Sequence, residues 1–166
     1  MYSTKLPFFA PSPKKVNNTE GLAAWHTKLR DEYPVAVGDH KYIELYNSAT
    51  NIVSIGIGGS FEGPKLLIEA EGNTEKNHVF ITGSDLEEFT EKTEKLNPNE
   101  TIFIVSSKSF TTDETLFSLK EAIKWSGDMN NFIAITANTK EALKYNIHED
   151  WIIPLNEEIG GRYSIW

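Results

Sequence analysis

Three short stretches of this 166-residue chain place hydrogen-bond donors and a cation where they can do chemistry. The first is Gly56-Ile57-Gly58-Gly59-Ser60, set between an apolar run of strand length and a helical pattern. Glycines at a strand-to-helix junction allow a sharp turn and let a ligand reach the backbone N–H groups. The helix that follows adds unsatisfied donors and the positive end of its dipole. Ser60 contributes a hydroxyl. Two readings fit these residues, an anion site and a tight turn with close helix–sheet packing. The dinucleotide fingerprint fails because Phe61 occupies the place of its third glycine, and the P-loop pattern fails for want of Gly-Lys-Ser/Thr.

The second stretch is Ser106-Ser107-Lys108-Ser109-Phe110-Thr111-Thr112, in which six of seven side chains donate hydrogen bonds. Hydroxyls and amides suit a phosphate, whose oxygens accept several short bonds. A Ser/Thr-rich cap-and-turn segment explains the same residues equally well. The third is Gly160-Gly161-Arg162-Tyr163-Ser164. A guanidinium held beside a glycine pair can stabilise a developing oxyanion. Taken alone, Arg162 fits better as a surface residue paired with Glu157 or Glu158.

The surrounding pattern supplies elements to position these groups. Pro7, Pro11 and Pro13 predict an extended arm over 1–18, with a single domain over 19–166. Leu22, Trp25, Leu29 and Tyr33 recur at helical spacing until Pro34, and a second helix is expected over 40–49. Strands are expected at 51–57, 79–82, 102–105, 132–136 and 151–155. Helices are expected at 64–69, 84–96 with Ser84 as cap, 115–125 and 140–145. In the 84–96 helix, Leu86, Phe89, Thr93 and Leu96 share one face. Repeated β–α units predict an α/β fold, a three-layer α/β/α sandwich around a five-stranded, mostly parallel sheet. In a sheet of order 2-1-3-4-5 the first and third strands are neighbours. Their carboxyl ends flank the switch-point crevice, so both donor-rich loops would face one pocket.

Composition narrows the partners. The net charge of −8 argues against nucleic acid and anionic membranes, which select basic surfaces. An anionic ligand then needs a local site strong enough to overcome the field of the whole molecule. The chain has no cysteine, which removes disulfides and thiolate chemistry and suits a reducing cytoplasm. Its first 15 residues contain no apolar core of signal-peptide length. The four histidines, His26, His40, His78 and His148, form no metal-binding pattern and read as packing or solvent-facing residues.

The three motifs together resemble the glucose-6-phosphate isomerase family. The resemblance rests on Val53-Ser54-Ile55-Gly56-Ile57-Gly58-Gly59-Ser60, on Ser107-Lys108-Ser109-Phe110-Thr111-Thr112 with Glu114-Thr115, and on Gly160-Gly161-Arg162-Tyr163-Ser164. They occur in the family's order and at about its spacing. The stretches Asn17 to His26 and Thr136-Ala137-Asn138-Thr139 are also similar, so the resemblance runs from about residue 15 to the end. Three departures stand out. Ser109 replaces the family's usual threonine, Asp113 a frequent glutamine, and Asn156-Glu157-Glu158 a Trp-rich segment.

The resemblance implies a sugar isomerase (SIS) domain and interconversion of glucose 6-phosphate and fructose 6-phosphate, a step of glycolysis and gluconeogenesis. It implies that Ser60, Ser107, Ser109 and Thr112, with amides including Gly59 and Lys108, hold the substrate phosphate. Arg162 would stabilise the cis-enediolate, and Glu114 would line the pocket and orient other groups. No cofactor and no metal are implied. The intact enzyme would be a homodimer completed by a partner's histidine. The family's base glutamate, ring-opening histidine and late lysine lie beyond the Gly-Gly-Arg string. The expectation is therefore a truncated chain, inactive or nearly so alone. Two other readings are a non-catalytic sugar-phosphate-binding module and, more weakly, a nucleotide-binding domain.

Overall fold

A computed structural model describes residues 41–72, 75–155 and 157. The extended arm, the first expected helix and the Gly160–Ser164 motif lie outside the described residues. The elements in chain order are α1 (Lys41–Ser48), β1 (Asn51–Ile55), α2 (Gly59–Glu71), β2 (Asn77–Ile81) and α3 (Leu86–Thr93). They continue with β3 (Thr101–Ser106), α4 (Asp113–Ser126), β4 (Phe132–Thr136), α5 (Thr139–Leu143) and β5 (Ile152–Pro154).

The five strands are all parallel and lie in the order β2-β1-β3-β4-β5. The chain steps outward from β1 to β2, then reverses and proceeds through β3, β4 and β5. Right-handed crossovers turn that reversal into a change of face. Accordingly α2 covers one face, and α3, α4 and α5 the other. Phe61 of α2 meets Phe80 of β2 edge-on at 5.5 Å. On the opposite face Phe89, Leu119 and Ala122, and Ala142 join Val53, Ile55, Phe103, Val105 and Phe132 in one buried core. Phe103 stacks on Phe132 at 4.8 Å and meets Trp125 edge-on at 5.8 Å. The α2 face holds a smaller cluster of Ala49, Ile52, Ile102 and Ile133, against which Leu45 and Tyr46 of α1 pack.

The strands match expectation within one or two residues, because continuous apolar runs are what a doubly covered parallel strand requires. Several details differ. β1 stops at Ile55, so Ile57 lies in the turn. α2 begins at Gly59 rather than near Pro64, which sits inside the helix and withholds a donor from the Ser60 carbonyl. α3 is capped by Asp85, not Ser84, since the Asp85 carboxylate accepts from the N–H groups of Glu87 and Glu88. On α3, Phe89 and Thr93 are buried but Leu86 is exposed.

His78 of β2 pairs in register with Ile52, on the α2 side of the sheet. Neither of its ring nitrogens reaches solvent or a hydrogen-bond partner among the described residues. Burial, aided by the charge of Lys76, lowers its pKa below the ordinary value. The unfolded chain therefore takes up this proton more readily than the folded one. Stability from His78 is complete above pH about 6.5 and falls as pH drops through that value. Urea unfolding midpoints measured across this window should fall less steeply in His78→Leu than in the unaltered chain. Phe103→Ala removes the ring at the centre of the larger core and should destabilise by about 3–5 kcal/mol in the same assay.

Candidate functional site

The turn after β1 is built on two glycines with different jobs. A Cβ on Gly56 would lie 3.0 Å from the Ser60 Cβ and 3.1 Å from the Ser106 carbonyl oxygen. Only glycine lets the end of β1, the first turn of α2 and the end of β3 come this close. Gly58 has φ 57° and ψ −122°, a conformation that side-chain-bearing residues avoid, and it caps α2. Its carbonyl accepts from the Phe61 and Glu62 N–H groups at 2.9 and 2.8 Å, which starts the helix without a side-chain cap. Ser60 is left on the first turn, and its hydroxyl makes no hydrogen bond among the described residues.

The loop after β3 curls around its own hydroxyls. Ser107 Oγ accepts from the Phe110 N–H and lies 3.2 Å from Thr112 Oγ1. Ser109 Oγ accepts from the Thr111 N–H and from Thr111 Oγ1, at 3.3 and 2.8 Å. Phe110 reverses the chain at φ 53°, unusual for a residue with a side chain. Its ring is fully buried and meets Tyr145 edge-on at 5.9 Å, and that packing holds the strained turn. Thr112 then caps α4 by backbone geometry alone, because its hydroxyl turns to Ser107 rather than to the helix amides. The first-turn amides of α4 keep their donors, as helix starts do.

The loop after β4 is stitched to this one. The Lys108 carbonyl accepts from the Ala137 N–H and from Thr136 Oγ1, both at 3.0 Å. The Ser107 N–H donates to the Ile135 carbonyl at 3.1 Å. Three consecutive carboxyl ends, those of β1, β3 and β4, thus enclose one open cleft of about 1,020 Å³.

Of the expected phosphate groups, Ser60, Ser107, Lys108, Ser109 and Thr112 line that cleft together. Gly59 instead lines an adjoining apolar cavity with Pro64, Leu67 and Ile68, and the two share Ser60 and Ser106. Glu114 departs from expectation: it is exposed on the first turn of α4 and is not among the cleft-lining residues. Helical geometry accounts for this, since Thr115, one residue on, is the buried one that faces the cleft. Arg162 lies outside the described residues. Sequence reasoning did not assign Ile57, Asn138, Thr139, Lys140 or Glu157 to the site, yet all line it. The usable signal was strand order, because β4 neighbours β3 and its loop must border the same crevice. No group of acidic or histidine residues suited to a metal occurs among the described residues.

Fold and cleft together define a doubly wound α/β domain with a hydroxyl-lined crevice at its switch point. The phosphoglucose isomerase family model matches residues 34–166, and the chain belongs to that family. A glucose-6-phosphate isomerase of Shewanella halifaxensis is 34% identical over 188 residues, covering 91% of this chain and 34% of that protein. The chain spans about a third of the length of such relatives. Among solved structures, a glucose-6-phosphate isomerase from Chlamydia trachomatis superposes with TM-score 0.60 and 27% identity, covering 74% of this chain and 26% of that one. A hypothetical protein from Thermus thermophilus superposes with TM-score 0.67 and 26% identity, covering 75% and 32%.

Gly56→Ala forces the crowded atoms of α2 and β3 apart. It should destabilise the chain by about 1–3 kcal/mol, read as a lower urea midpoint. An unchanged midpoint would mean that the junction has slack.

Proposed function

We propose that this chain supplies the phosphate-holding domain of an aldose–ketose isomerase acting on glucose 6-phosphate and fructose 6-phosphate. The observation that carries the reading is the convergence of Ser60, Ser107, Ser109 and Thr112 on one cleft at the switch point of the sheet. A phosphate dianion presents several strong acceptors. The cleft offers hydroxyls from two loops and the start of α4, a 14-residue helix whose dipole favours an anion. Family membership and the names of the relatives support the sugar phosphate as the particular anion.

In this reading the phosphate is an anchor. Binding energy gathered there holds the sugar's first two carbons where a base can move a proton between them. Arg162 is assigned to the enediolate oxyanion, on the strength of its Gly-Gly-Arg-Tyr-Ser setting. Glu114, being exposed, is assigned an indirect role in orienting neighbouring groups. We place the working protein in the cytoplasm as a homodimer. The absence of cysteine supports the first and the resemblance of the motifs the second. Among the described residues no helix is long and apolar enough to cross a membrane.

Calorimetric titration of the chain with glucose 6-phosphate tests the reading. Binding is expected at millimolar ligand or below. Ser107→Ala/Thr112→Ala should weaken it at least tenfold, the cost of two hydroxyl contacts at about 1 kcal/mol each. Absence of binding by the unaltered chain, or a double variant that binds as well, overturns the assignment.

A further inference from the structure

The hydroxyls that line the cleft are neutral, and the chain around them carries a net charge of −8. A dianion held there needs counter-charge nearby, because the field of the whole protein repels it. The charged side chains lining the cleft among the described residues are Lys108, Lys140 and Glu157. Lys108 belongs to the donor-rich loop already assigned to phosphate. Lys140 does not: it stands on α5, beyond β4.

Strand order gives Lys140 a particular place. β3 lies between β1 and β4, so its Ser107–Thr112 loop forms the middle of the cleft. Ser60 stands on the wall after β1 and Lys140 on the opposite wall, after β4. The bonds from Ala137 and Thr136 to the Lys108 carbonyl lock that second wall to the hydroxyl loop. Lys140 also has no competing partner among the described residues. Lys65, Lys92, Lys124 and Lys144 each pair with a glutamate on their own helix or at its end. The carboxylate next to Lys140, Glu141, is taken by Lys144. Lys140 makes no ion pair or hydrogen bond among the described residues.

We infer that Lys140 is a phosphate-neutralising cation of this cleft, closing on a bound phosphate ester from the wall opposite Ser60. The inference rests on the phosphate-anchor reading and adds to it a residue outside the three motifs. Its role is electrostatic, as a compact point charge on a long flexible stem. Glu157 is the one opposing charge on the lining among the described residues, and two lysines against it leave the cleft locally positive.

The test is calorimetry of the 166-residue chain with two probes, glucose 6-phosphate and inorganic phosphate. The titrations are run at low and at physiological ionic strength, about 0.01 and 0.15 M. Lys140→Gln should weaken both probes roughly tenfold at low salt, the value of one charge-assisted contact. It should also flatten the dependence of Kd on salt, which loss of packing alone would not do. Lys140→Arg should restore most of the affinity, and Lys144→Gln, one turn on, should leave it unchanged. If Lys140→Gln keeps both the affinity and the salt dependence while Ser107→Ala/Thr112→Ala loses binding, this inference falls and the anchor reading stands. If the unaltered chain binds neither probe, the anchor reading itself falls and takes this one with it.

Discussion

At Gly56 the backbone of β1, the first turn of α2 and the carbonyl of Ser106 crowd to within van der Waals contact. No side chain fits among them, and the geometry of the cleft follows from that crowding. Because α2 starts so close to the sheet, Ser60 is held beside the end of β3 instead of being carried away by a longer turn. The reversed order of strands then puts β3 between β1 and β4, and three loops share one opening. The close approach at one position thus decides whether the hydroxyls form one group or separate ones.

The loop after β3 makes the opposite compromise. The hydroxyl of its threonine cap accepts no amide of the helix it starts, and a phenylalanine sits in a conformation suited to glycine. Both choices forgo local stability. At α3 the chain takes the ordinary option, where Asp85 caps the helix through its carboxylate. Local rules broken in one loop, beside a polar cleft, mark a segment shaped for something other than folding. The buried Phe110 ring against Tyr145 and the stitching to β4 are what allow the loop to stay so arranged.

Much of this was legible in the sequence because the signals were physical and local. Short apolar runs separated by amphipathic stretches give a parallel sheet little alternative. Glycine and hydroxyl runs directly after two of those strands pointed to one shared opening, and Ser60, Ser107, Lys108, Ser109 and Thr112 line one cleft. What escaped were consequences of three-dimensional adjacency. Pro64 read as a helix start, yet α2 begins at Gly59 and runs through it. Ser84 and Asp85 both suit a cap, and the choice fell to the residue whose carboxylate reached two amides. Glu114 and Thr115 are neighbours in the chain, but the helix turns one outward and the other into the core. Lys140 carried no local mark at all, since only the position of β4 brings it to the site.

At the opposite edge of the sheet a single device repeats. Asn97, Asp128 and His148 each accept an amide two residues on and open a one-turn 3-10 helix that feeds β3, β4 and β5 in turn. These corners sit a full strand length from the cleft, at the amino ends of the strands. Their capping residues Asn97, Asp128 and His148 are exposed, as is Asn130, and so can carry foreign cargo. A fluorophore attached at Asn130, or a short peptide grafted there, would report on the molecule or tether it to a surface while leaving the working edge free.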